Sequence, residues 1–210
     1  MTPRRDPRHA SMVVLLLLLT LSSTARADSW DMSADFSLEN NPNGTWSYGR
    51  TWALDGTFEL MPCHWGPSFW VPCDFWAPSI QCCPNVWAYD NNHGYPVIRW
   101  TSPHAGSYDL TCTFTGADSR GVDVLVYVII DGSIQFTEHI AAYQQSTTYS
   151  LNGLLLTPGR SIDFVVRWNG GVHMDYSWTV ITGRIEDSSS TAIPELQPST
   201  WGTIKHDAGR

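Results

Sequence analysis

Four cysteines, Cys63, Cys73, Cys82 and Cys83, fall within the stretch CHWGPSFWVPCDFWAPSIQCCP at 63 to 84. Cysteine at this density crosslinks, or it ligates a metal: His64 and Asp74, next to Cys63 and Cys73, add ligand types that zinc accepts. No Cys-x-x-Cys pair occurs, and an exported chain favours disulfides. The spacing therefore predicts two bridges, with Cys63 and Cys73 each joined to one member of the adjacent pair, because a direct 82 to 83 bond is strained. Which member each takes stays open. The fifth, Cys112, sits between Leu110 and Phe114 in an alternating run and is expected to be a free, buried thiol.

The same stretch holds Trp65, Phe69, Trp70, Phe75 and Trp76, with prolines at 67, 72, 78 and 84 that forbid regular structure. It reads as a long surface loop whose bridges offset its ordering entropy. Two roles fit the rings. As a platform, Trp65, Trp70 and Trp76 would stack on the C–H faces of sugar rings, with Asp74, Asn91 and Asn92 as hydroxyl partners. As a plug, they would close one end of the core, the commoner fate of tryptophan in a soluble monomer.

Catalytic chemistry finds little support, and no catalytic residue is assigned. There is no nucleophile elbow, His-Glu-x-x-His motif, phosphate loop or dinucleotide fingerprint. Glu59 and Glu138, each in an expected strand, are the only pair weighed for glycoside hydrolysis. His173 and Asp175, two apart on one face, fit a structural hydrogen-bonded pair better than metal ligands. The loop Asp118 to Asp123 has ingredients of a calcium site in Asp118 and Asp123. Arg120 within it, and the lack of a third carboxylate, count against calcium, so no cofactor or metal is expected.

The elements that must position these residues are strands. Tyr108, Leu110, Cys112 and Phe114 alternate with polar residues over 107 to 115. Val122 to Ile130 is apolar on both faces, and Asp131-Gly132 turns it into Ser133 to Ile140, so a hairpin central in a sheet is expected. Ile162, Phe164, Val166 and Trp168 form a further set, and Tyr176, Trp178 and Val180 another. Trp46, Trp52, Trp100, Trp168 and Trp178 are taken as core; Trp30 and Trp201 are left unassigned. Turns at Pro158-Gly159 and Asn169-Gly170-Gly171 separate the runs. No sustained helical period occurs. The expected fold is all-β: a two-sheet antiparallel β-sandwich of jelly-roll type with one long disulfide-pinned loop.

Arg4, Arg5 and Arg8 precede the apolar run Met12 to Leu21 and the small-x-small triplet Ala25-Arg26-Ala27, the pattern of a cleaved export signal over 1 to 27. The sandwich is placed at 28 to 186, and 187 to 210 is expected to be a flexible tail. The formal net charge is −8, and Lys205 is the single lysine. An acidic chain without a basic cluster is a poor partner for nucleic acid.

DFSLENNPNGTWSYG at 35 to 49, RWTSPHAGSYDLTCTFTGAD at 99 to 118, VYVIIDG and LTPGRSIDFVV together resemble a group of secreted bacterial jelly-roll proteins, many of them carrying PEP-CTERM sorting signals. The resemblance implies a secreted or cell-envelope domain of carbohydrate-binding-module type, and it assigns no functional residue. Ile193-Pro194-Glu195-Leu196 departs from the group's sorting motif and runs into QPSTWGTIKHDAGR without an apolar helix, so no transmembrane anchor is expected in the mature chain. The expected function is non-catalytic binding of an extracellular glycan or cell-surface component through the loop at 63 to 89. A structural or adhesive envelope role is the alternative, and hydrolysis of glycosides ranks third.

Overall fold

Alternation over residues 106 to 116 produces a continuous buried apolar stripe, and the fold is built around it. In the computed structural model, which describes residues 27–65, 69–71, 94–170 and 178–189, Gly106–Gly116 is a strand whose Tyr108, Leu110, Cys112 and Phe114 are fully buried. Twelve strands are described: β1 (Ser29–Asp31), β2 (Trp46–Thr51), β3 (Glu59–Leu60), β4 (Cys63–Trp65), β5 (Phe69–Val71), β6 (Tyr95–Thr101), β7 (Gly106–Gly116), β8 (Val124–Ile130), β9 (Ser133–Ile140), β10 (Ser146–Leu156), β11 (Ser161–Trp168) and β12 (Thr179–Asp187). They form a four-stranded sheet, β1-β12-β7-β10, a six-stranded sheet, β3-β2-β6-β11-β8-β9, and a small β4-β5 hairpin, with every pairing antiparallel.

The two larger sheets bury one face each in a common core. Leu110, Cys112, Phe114 and Ile181 come from the first, and Trp46, Ile98, Trp100, Val126 and Phe164 from the second. Outward, the four-stranded sheet is solvated. Its alternate residues pair as hydroxyls: Thr115 with Ser146 at 2.8 Å, Thr113 with Thr148 at 2.9 Å and Thr111 with Ser150 at 3.3 Å. The six-stranded sheet instead buries its outer face as well, in a second cluster of Val97, Tyr127, Ile129 and Val165 with Leu54 and Phe58 packed against it.

Asp131 and Gly132 both have positive φ, 49° and 78°, the geometry that closes a two-residue hairpin, and β8 and β9 pair across it. The hairpin is not central. β9 is the edge of the six-stranded sheet and is exposed along most of its length, since of the two hairpin strands only β8 is shielded on both faces. The last strand runs in the phase opposite to that expected. Thr179, Ile181 and Ile185 point inward, whereas Val180 is half-buried and Trp178 precedes the strand. No helix of the described residues is long and apolar enough to cross a membrane.

Candidate ligand-binding rim

Because neighbouring strands alternate in direction, β2 ends where β6 begins, β11 ends beside it, and β8 starts and β9 ends next along. The pairs Thr51↔Tyr95, Val124↔Trp168 and Val124↔Ile140 place these five termini on one rim of the six-stranded sheet. Read across the strands, the rim carries Trp52 with Arg50 and Glu59, then Tyr95 and Arg167, then Asn169, Asp123 and His139.

Trp52 lies one residue past the end of β2. The Thr51 hydroxyl donates to the Ala53 carbonyl at 2.6 Å, and Gly56 N–H donates to the same carbonyl, so the chain leaves the sheet there. Trp52 is therefore not core, as its position after Trp46 and Tyr48 suggested, but 52% exposed. Its ring is braced on two sides. The Arg50 guanidinium lies 4.7 Å from the ring centroid, and the indole Nε1 donates to Glu59 Oε1 at 3.3 Å. Glu59 also takes Arg50 Nε at 3.0 Å, tying the group together. An exposed cation–π contact contributes about 0.5–1 kcal/mol, enough to bias the ring's orientation.

Behind Trp52, the chain from β2 to β3 lays Phe58 on the sheet. This needs Gly49, where a Cβ would lie 2.3 Å from the Glu59 carbonyl oxygen and 2.6 Å from the Phe58 ring. The Arg99 guanidinium stands 4.1 Å from the Phe58 ring centroid and grips Asp163 with two bonds of 2.7 Å. Arg167 lies over Tyr95 at 5.5 Å.

Farther along, Asp123 Oδ1 accepts from His139 Nε2 at 2.6 Å and from Asn169 Nδ2 at 3.0 Å, and the Asn169 backbone N–H donates to the Asp123 carbonyl at 3.0 Å. Asp118, nearly buried, is held differently. Arg120 donates from Nε at 2.9 Å and from an Nη at 2.6 Å, and its backbone N–H adds a third bond. These bonds hold the Asp118 carboxyl below the usual carboxylate value. Asp118 and Asp123 thus serve different partners, and among the described residues no group of three His, Cys, Asp or Glu could hold a metal ion. In the loop weighed for calcium, Arg120 takes the Asp118 oxygens.

Of the residues singled out from the sequence, Trp70 is corrected from platform to core. It is 5% exposed, packs in the main cluster, and donates its indole N–H to the Ser37 carbonyl at 2.8 Å. Trp65 lies in β4 opposite Phe69, with its side chain outside the description. Cys63 is disulfide-bonded. Cys73, Asp74, Trp76, Cys82, Cys83, Asn91, Asn92, His173, Asp175 and Trp201 lie outside the described residues. Cys112 is free and buried. Trp30 packs edge-on against Trp100 at 5.2 Å, while Trp168 and Trp178 are half-buried. Glu59 and Glu138 stand on opposite edge strands of the six-stranded sheet, five strand spacings or about 24 Å apart. A glycosidase pair stands about 5–10 Å apart, so these two do not make one.

Sequence reasoning missed Trp52 and the Asp123, His139 and Asn169 group. Asp55-Gly56 was a turn signal that could have ended β2 before Trp52. The second group is joined by sheet pairing across 46 positions, and no local pattern marks it.

No family model matches the chain, and no curated protein matches it. Among solved structures it is similar to a Podospora anserina GH26-CBM35 β-(1,4)-mannanase, with 11% identity over 77% of this chain and 28% of the mannanase and a TM-score of 0.35. It is also similar to a family 35 carbohydrate-binding module from Clostridium thermocellum, at 18% identity over 47% of this chain and 76% of the module, TM-score 0.28. A third is the CBM36 module in complex with calcium and xylotriose, at 14% identity over 49% of this chain and 78% of the module, TM-score 0.30. This chain thus spans under a third of the mannanase's length. At these scores the architecture described above rests on the strand pairing alone.

Proposed function

We propose that the chain is an exported, non-catalytic domain that binds carbohydrate at the Trp52 end of this rim. The observation that carries the reading is the exposed indole of Trp52, oriented by Arg50 and Glu59. A flat, fixed aromatic ring in solvent offers the apolar face of a pyranose a stacking surface at low entropic cost. The same two residues are charged groups that can hydrogen-bond ring hydroxyls. Trp65, Trp76, Asp74, Asn91 and Asn92 belong to this proposal as further contacts from a disulfide-pinned loop, and Trp70 does not. Export is part of it too, supported by the bonded state of Cys63, since disulfides persist in oxidising compartments. The wide separation of Glu59 from Glu138 supports the non-catalytic half.

The test is a glycan array followed by calorimetry on the best ligand, comparing wild type with Trp52→Ala. Loss of affinity by roughly ten-fold or more, with the melting midpoint retained, is expected. Unchanged affinity in the folded variant overturns the reading.

A further inference from the structure

We infer that Asn169 and His139 form a second contact point on the rim, which makes the chain a binder of neutral oligosaccharides several units long in preference to mono- or disaccharides. The inference rests on the carbohydrate reading at Trp52 and adds to it a ligand class and a second set of residues.

The chemistry follows from the hub. Asp123 Oδ1 is an acceptor only, so the partner it faces on Asn169 is the amide nitrogen, 3.0 Å away, and the Asn169 carboxamide oxygen is turned from it. His139 meets the same oxygen through Nε2 at 2.6 Å, which leaves Nδ1 as its second polar atom. The Asn169 side-chain oxygen and His139 Nδ1 make no hydrogen bond to the described residues. The Asp123 side chain is only 18% exposed and acts as the fixed centre, while His139 is 46% exposed and Asn169 is open to solvent. The Asn169 backbone bond to Asp123 locks the strand terminus that carries it. The result is a pre-oriented amide oxygen and a ring nitrogen beside a carboxylate, which suits sugar hydroxyls and disfavours anions, so the ligand class is a neutral glycan.

The sheet sets the ligand's length. From β2, which delivers Trp52, β11 with Asn169 is two strand spacings away and β9 with His139 is four, or about 10 and 19 Å. A sugar stacked on the indole does not reach that far, and an oligosaccharide running across the strand ends does. Tyr95 and Arg167 lie between the two points.

The experiment is calorimetry on the purified chain with xylo-, manno- and cello-oligosaccharides from di- to hexasaccharide, comparing wild type, Asn169→Ala/His139→Ala and Trp52→Ala. For wild type, affinity for the bound series is expected to climb with length. In the double variant the climb should flatten, with roughly ten-fold lost on the longest chains, while Trp52→Ala loses affinity at every length. Wild-type affinity independent of length, or a double variant with the wild-type climb, overturns this inference and leaves the Trp52 reading intact. If wild type binds none of the three series, or Trp52→Ala binds like wild type, the carbohydrate reading falls and this one with it. Should the double variant unfold, Asn169→Ala alone, at an exposed position, gives the same comparison.

Discussion

Replacing Gly49 by alanine tests whether the loop that brings Glu59 to Trp52 is held as described. The added Cβ would sit 2.3 Å from the Glu59 carbonyl oxygen and 2.6 Å from two Phe58 ring carbons. A backbone oxygen cannot swing away as a side-chain tip can, so β3 itself must move. Its pairing with β2 covers only Gly49↔Leu60 and Arg50↔Glu59, and Phe58 would lose its seat under Arg99. Overpacking of this kind costs about 1–3 kcal/mol. The lost edge pairing falls within that range, at about 0.5–1.5 kcal/mol per hydrogen bond. Urea unfolding should therefore show a loss of about 2 kcal/mol with an unchanged slope. Because Glu59 moves with β3, the Trp52 ring loses its brace, and acrylamide should quench its fluorescence more readily. Gly44→Ala is the control. It has open space around the added carbon but a φ of 58°, so its cost is local backbone strain without displacement of β3. A Gly49→Ala variant within about 0.5 kcal/mol of wild type, with unaltered quenching, would refute the reasoning.

Three further outcomes are expected. Trp70→Phe removes the indole N–H that meets Ser37 O at 2.8 Å and should cost about 1–3 kcal/mol in urea unfolding while leaving glycan affinity unchanged; a binding loss with full stability would return Trp70 to the platform. Arg120→Met should cost about 0.5–1 kcal/mol near neutral pH, given how exposed Arg120 is. Because Arg120 lowers the folded Asp118 pKa, its contribution is present above the unfolded carboxylate value near 3.9 and fades as pH falls through the lower folded value, so variant and wild type should converge only in acid melts. Burial pushes the Cys112 thiol up to about 12, opposed by a hydrogen bond with the Tyr149 backbone, so mass spectrometry should find Cys112 unalkylated by iodoacetamide in the native chain at about pH 8 and fully alkylated once unfolded.

What the sequence made legible was local. The period of Tyr108, Leu110, Cys112 and Phe114 located β7 and its buried face, and Asp131-Gly132 located a hairpin, because each depends on neighbours a few positions apart. Position within a sheet does not. β8 reads the same whether β9 or another strand lies beyond it, so the edge placement of β9 was not visible. β10 was missed because its outward residues are Ser146, Thr148 and Ser150, and the shift in register between Leu151 and Leu154 breaks its apolar period. The phase of β12 was misread because Trp178 and Val180 outweigh Thr179 in apolarity, yet Thr179 is the one fully buried. Of the candidate site, the aromatic stretch at 63 to 84 drew attention by composition, while Trp52 looked like one more strand residue because it continues the apolar phase of Trp46 and Tyr48 and the turn signal at Asp55-Gly56 comes only after it.

The rim also shows how recognition and stability come to share residues. An edge strand has one neighbour and frays first, and this sheet has two edges, β3 and β9, whose rim ends flank the proposed site. Each edge is clasped to its inner neighbour by a side-chain pair at that end: Glu59 of β3 by Arg50 of β2 at 3.0 Å, and His139 of β9 by Asp123 ahead of β8 at 2.6 Å. Between them, β6 and β11 are buried on both faces and supply Tyr95, Arg167 and Asn169 from rigid positions. A glycan lying along the rim would bridge the two clasps across that rigid centre, so binding should lower fraying at both edges at once. The same coupling means that removing Glu59 or Asp123 loosens an edge as well as a contact. Asn169 is exposed but also donates to Asp123, so a loss of affinity on replacing it reads as recognition where the melting midpoint is retained.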